Sequence, residues 1–133
     1  MKRAQVSIDL LIVLSVFLLL LILLFQVLVQ DRRAESIEKD IELSARAEAE
    51  KVVFLIDALY IAGDGSNTSF YLPSMLAHEV PYTLTVYDEG FVVVDYNSQG
   101  YSVALLTKAV NETRLFPGEN LIYSRNGVIF FAQ

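Results

Sequence analysis

The residues of this chain that could do chemistry are few and widely spaced. One carboxylate, Asp9, stands at the mouth of an apolar stretch that begins at Leu10, with Lys2 and Arg3 a short way ahead of it. An ionisable side chain at the edge of such a stretch is costly unless it is hydrated or paired, so Asp9 calls for a partner or for the lipid headgroup layer. The single imidazole, His78, has no second His and no Cys to join it, which fits a plain surface or capping role and supports no metal site. The absence of Cys excludes a disulfide, a lipid-modified N-terminal cysteine, a thiolate metal site and a thiol nucleophile. No nucleophile elbow, phosphate-cradling glycine loop or paired metal-ligand motif occurs, and nothing in the spacing places Ser, Asp and His together, so neither an enzyme nor a cofactor is expected. Two N-glycosylation acceptor patterns, Asn67-Thr68-Ser69 and Asn111-Glu112-Thr113, fall in segments that read as loops, where ordinary turn residues would look the same.

The 133 residues suit one domain of ordinary size, yet 54% hydrophobic content and a mean hydropathy of +0.46 exceed what a soluble chain usually shows. The surplus is local. Leu10 to Val29 is broken only by Ser15 and Gln26, and 20 residues of helix rise about 30 Å, the thickness of a bilayer core. The run is apolar on every face, unlike a water-exposed surface helix. A secretory signal peptide has a shorter apolar stretch that ends in small residues, whereas this run leaves through Gln26-Val27-Leu28-Val29-Gln30-Asp31. Lys2 and Arg3 before the run place the N-terminus inside, against the opposing pull of Arg32 and Arg33. Beyond residue 30, the 10 basic residues less Lys2 and Arg3 face the 16 acidic residues less Asp9, an excess of seven negative charges that suits an outward acidic head and disfavours nucleic acid.

The segment Lys2-Arg3-Ala4-Gln5-Val6-Ser7-Ile8-Asp9 sets a basic pair, a small residue and a polar pattern directly before the run. It resembles the class III signal peptide of archaeal type IV pilin-like proteins, in which a prepilin peptidase removes a basic leader just before Gln in a pattern of Gln, any, Ser, any, Glu, then Leu four further on. Carried over, Ala4 and Gln5 flank the cut and Lys2 and Arg3 are the leader charges. Gln5 and Ser7 match the pattern, Asp9 stands where Glu is usual, Val13 where Leu is usual, and Ala4 replaces the more usual Gly. The motif covers under a tenth of the chain, and the layout behind it extends the likeness. The resemblance implies that Gln5 becomes the new N-terminus, its ammonium about 6 Å of axial rise from Asp9 of its own helix and within reach of Asp9 of a staggered neighbour. An intersubunit contact between Gln5 and Asp9 would then set the stagger, unless Gln5 cyclises to pyroglutamate and loses its charge. The implied partners are copies or relatives of the same chain, a prepilin peptidase, an assembly platform and ATPase, and membrane lipid before assembly.

The elements that would carry these residues follow from pattern. Gln30 to Ala62 lacks Gly and Pro and is rich in helix formers, so the helix runs on to about Ala62, close to 80 Å from Ser7. Its upper half is amphipathic, with Ile37, Ile41, Ala45, Val52, Leu55, Ile56 and Leu59 as the apolar stripe, Asp57 on the polar face, and Glu35 to Lys39 and Glu42 to Arg46 as solvated pairs. Gly63-Asp64-Gly65-Ser66-Asn67 ends it. After Pro81 the texture turns β-branched and aromatic, giving strands at about 82–87, 91–96, 101–107, 121–124 and 128–132 joined by hairpin-like connectors in a consecutive antiparallel meander. Phe70-Tyr71-Leu72-Pro73 supplies a short edge element and Leu115-Phe116-Pro117-Gly118 a turn. The expected class is α+β: leader 1–4, transmembrane and assembly helix 5–30, amphipathic continuation 31–62, and an extracellular β-rich head 63–133 under which the upper helix packs. Two functions fit that plan: a pilin-like subunit of a surface filament, and an uncleaved single-pass anchor whose β head binds an external partner.

Overall fold

A computed structural model describes the backbone of residues 2–133 and the side chains of residues 7–133; Met1 lies outside the described residues. The architecture is α+β, one long N-terminal helix and a small antiparallel β head. Helix α1 spans Lys2–Ala62, a stretch without a single Gly or Pro. It ends where Gly63 adopts φ +85°, a left-handed conformation that glycine takes without Cβ strain, so that the Gly63 N–H can bond back to the Leu59 carbonyl at 3.0 Å. Two compact units divide the chain, Met1–Glu38 and Lys39–Gln133.

In the second unit, seven strands follow the helix: β1 Asn67–Leu72, β2 Tyr82–Tyr87, β3 Phe91–Tyr96, β4 Gln99–Ala104, β5 Thr113–Leu115, β6 Gly118–Arg125 and β7 Val128–Ala132. They form two antiparallel sheets, β1-β6-β7 and β4-β3-β2-β5. This corrects the meander. The local hairpins β2-β3, β3-β4 and β6-β7 are present, with β4 at Gln99–Ala104 where 101–107 was expected and β6 at Gly118–Arg125 where 121–124 was expected, but β1 joins β6 across the sequence with Leu72 opposite Gly118, and β5 joins β2 with Leu115 opposite Leu84. The edge element near Phe70 is thus a full strand, and half of the expected turn at 115–118 belongs to β5 and β6. Residues 109–115 stitch the two sheets together. Ile129 donates to the Ala109 carbonyl and accepts from the Asn111 N–H, both at 2.9 Å, before the chain crosses into β5.

Both sheets contribute to one core, closed by a face of α1. Ile41, Ala45, Ala49, Val52, Ile56 and Leu59 are buried there against Leu72, Leu84, Val86, Val92, Val94, Ile122 and Ile129. The helical positions recur at three and four residues, as a face packed on a sheet requires. Ala45 and Ala49 are fully buried, and their small side chains allow the sheets to approach the helix closely. Ala49 was not in the expected stripe, whereas Ile37 stays exposed, because the covered face begins at Ile41. The buried Asn120 is satisfied on every side: its amide donates to the Phe116 and Gly118 carbonyls at 3.0 Å each and its oxygen accepts from Gln133 at 3.1 Å. Replacing Ala49 with Leu inserts three carbons where there is no room, so a loss of about 1–3 kcal/mol is expected in denaturant unfolding followed by far-UV circular dichroism. An unchanged midpoint would mean that the sheets do not seat on Ala49.

Candidate functional site

The residues of the processing and assembly motif lie at the start of α1. A helix sets residues four apart on one face, so Asp9 and Val13 fall in line while Ser7 points elsewhere. The side chains of Lys2, Arg3, Ala4 and Gln5 lie outside the described residues, and with them the proposed cut and the Gln5 half of the assembly contact. Asp9 and Val13 are exposed. Behind them the large apolar side chains from Leu10 to Leu28 are 49–68% exposed, so among the described residues none of them is buried. This helix is long and apolar enough to cross a membrane. Ser15, one of its two polar residues, donates its hydroxyl to the Ile12 carbonyl at 2.8 Å, which satisfies the proton within the helix.

Further along α1, Leu43, Phe54 and Ile61 are spaced by eleven and seven residues, close to three and two whole turns, and so share a line on the side away from the core. Phe54 is 71% and Ile61 75% exposed. The upper helix therefore carries apolar side chains on two sides, one facing the sheets and one facing out.

Asp40, Ser44 and His78 meet at one corner of the head, where the sequence alone gave no reason to place an Asp, a Ser and a His together. His78 Nε2 lies 3.3 Å from Asp40 Oδ2, and Ser44 Oγ accepts the Ala77 N–H at 3.2 Å. Both contacts hold the segment between β1 and β2 onto the helix. That segment reverses sharply, with His78 and Glu79 at φ 57° and 58° and the Leu76 N–H bonded to the Val80 carbonyl at 2.8 Å. The pair is largely exposed, and the Ser44 oxygen is turned to a backbone donor. This is the geometry of a clamp, with no base directed at a nucleophile. Among the described residues no three His, Asp or Glu side chains converge to hold a metal ion.

Other polar residues also fasten backbone. Asp57, read as a polar-face residue, accepts the Leu106 N–H at 3.0 Å, and Asp64 accepts the Gly127 N–H at 2.6 Å, tying the helix exit to the β6-β7 turn. Sequence reasoning missed Ser44 and Asp64 because the groups they satisfy are 33 and 63 residues away. Arg46 pairs forward with Glu50 at 2.7 Å, where Glu42 had been the expected partner, and lies over the Tyr101 ring at 5.9 Å. Of the two glycosylation patterns, Asn111 occupies a loop as read, but Asn67 opens β1; both are exposed. No protein-family model, curated protein sequence or solved structure matches the chain.

Tyr82 donates its hydroxyl to the Pro73 carbonyl at 2.8 Å. Burial, reinforced by Glu48 and Tyr71, pushes its ionisation from the ordinary 10 up to about 12. The unfolded chain then releases this proton at lower pH than the folded one, so Tyr82 contributes stability that is intact below pH 10 and is lost as pH rises toward 12. A fall in the thermal midpoint of the wild-type chain across that window, flattened in Tyr82→Phe, is the expected result. An equal fall in both would assign the alkaline loss to other groups.

Proposed function

We propose that the chain is a pilin-like subunit of an archaeal type IV pilus-like surface filament, made as a membrane-spanning precursor, cut between Ala4 and Gln5, and assembled through its N-terminal helix. The observation that carries this reading is the uncovered apolar length of α1. Burying each Leu, Ile, Val or Phe fully stabilises by roughly 1.5–3 kcal/mol, so a stretch of this kind represents tens of kcal/mol against exposure to water. It must lie in lipid or among other helices. The leader charges Lys2 and Arg3 favour lipid while they remain, because they hold the inner end of the helix at the cytoplasmic interface. Their removal makes the helix extractable, and copies or relatives of the same helix then provide the cover. The outward line of Leu43, Phe54 and Ile61 supports the same reading, since it gives packed copies a second apolar contact beyond residue 30.

Asp9 has a defined part in this scheme. In a bundle of apolar helices its carboxylate needs a cation, and the freed amine of Gln5 on a neighbour is of the right sign and at the right height, with pyroglutamate formation as the competing fate. The expected partners are a prepilin peptidase, an assembly platform with its ATPase, and membrane lipid before assembly. The competing reading, an uncut anchor carrying a partner-binding β head, shares this architecture and differs only at the N-terminus.

Intact-mass measurement of the protein from its native cells separates the two. The expected mass lacks Met1 to Ala4, with a further loss of ammonia if Gln5 has cyclised; a full-length start assigns the chain to the anchor class. Ala4→Lys is expected to leave most of the chain unprocessed, and undiminished processing would move the cut elsewhere. Asp9→Asn keeps shape and removes charge, so processed protein that no longer enters filaments is expected. Normal incorporation would show that the ionic contact is dispensable.

A further inference from the structure

A cleft of about 540 Å³ opens at one end of the four-stranded sheet, where the β3-β4 turn meets the start of β2. Its floor is one row of cross-strand neighbours on the outer face, Thr83 on β2, Asp95 on β3 and Gly100 on β4. Asn97, Ser98 and Gln99 form the lip and Pro81 stands at the side, while Tyr82 and Tyr96 border the cleft from positions whose side chains turn to the core face.

Two features of this cleft run against what the fold alone would favour. Both central residues of the β3-β4 turn are left-handed, Asn97 at φ 44° and Ser98 at φ 61°. The β6-β7 turn of the same molecule solves the same problem with Asn126 and Gly127, glycine being the residue that enters this region without Cβ strain. Ser98 therefore keeps a hydroxyl at the lip at a cost in stability. Gly100 is the second. It weakens an edge strand that would be better formed with a β-branched residue. A Cβ there would lie 3.0 Å from Asp95 Oδ1, so the bare position leaves the Asp95 carboxylate room above the floor.

The chemistry of the lining selects a ligand class. Asp95 accepts only, Asn97 and Gln99 both donate and accept, and the Ser98 and Thr83 hydroxyls can do either; Thr83 already accepts from Arg114 at 3.1 Å, which leaves its proton to give. No Lys or Arg lines the cleft, which disfavours phosphate, sulfate or a carboxylate. A carboxylate, two amides and hydroxyls without a cation among them match a neutral compound that presents many hydroxyl groups. We propose that this cleft is a binding site for a neutral saccharide, with Asp95 accepting from adjacent sugar hydroxyls, Ser98 and Asn97 closing over them, and Gly100 providing the space. The site belongs to the head and functions equally in a filament subunit and in an anchored protein.

The test uses the full chain in phosphatidylcholine nanodiscs, free of sugar-based detergent. Saturation-transfer difference NMR is recorded with maltotriose, cellotriose, mannotriose and chitotriose, each at roughly 10 mM, a concentration at which even a few net hydrogen bonds give occupancy. Saturation transfer to at least one of these is expected. Asp95→Asn and Gly100→Ala should each weaken it about tenfold, the loss expected for one charge-assisted hydrogen bond. Ser98→Gly should weaken binding severalfold while raising the thermal midpoint by a few degrees, an opposition that a purely structural turn residue would not show. No transfer to any of the four sugars, or transfer that survives unchanged in Asp95→Asn and Gly100→Ala, would overturn the assignment.

Discussion

A single helix is asked to satisfy different surroundings along its length, and the rest of the molecule follows from how it does so. Between Ile41 and Leu59 one face of α1 is buried under two sheets, and the fit depends on the two alanines whose lack of bulk lets the strands come close. Between Leu10 and Leu28 the large apolar side chains are exposed among the described residues. The second unit covers the apolar face of its own segment of helix, whereas the N-terminal segment leaves its apolar side chains exposed and is long enough to cross a membrane.

The head is built to hold that helix at several points. Near its start, Ser44 and Asp40 fix the segment around His78; near its end, Asp64 reaches the β6-β7 turn, and Lys51 donates to the Tyr71 carbonyl on the edge of β1 at 2.6 Å. Three of these contacts, those of Ser44, Lys51 and Asp64, join a polar side chain of the helix or its exit to a backbone group, and an unmade hydrogen bond costs more than a made one returns. Polar residues thus define where each loop lies, and the apolar stripe supplies the bulk of the free energy. No buried polar side-chain atom among the described residues is left without a hydrogen bond, so the small core is not weakened by polar defects.

Two departures from what local rules favour fall together. Ser98 and Gly100 lie within three residues of each other on one cleft, and both make the fold slightly worse at that point. Conflicts between local preference and global fold are expected where a site is being served, which is why this cleft carries more weight than its size alone would give it. The left-handed pair at His78 and Glu79 has a different explanation in the sharp return of the chain between β1 and β2.

By itself, the sequence determined the elements whose signals lie between neighbours along the chain. The helix and its stop at Gly63 were legible from composition and a glycine, the membrane-length stretch from an unbroken apolar run, and β2, β3 and β7 from alternation bounded by turn residues. The α+β class followed from those elements in order. Tertiary structure alone decided what depends on residues far apart. That β1 pairs with β6, that three residues at 113–115 become a strand, that Asn67 lies in a ladder, and that Asp40, Ser44 and His78 share a corner all rest on closures between residues far apart in the chain. Such closures carry no local signature, because their free energy comes from the core they complete and not from the residues that make them.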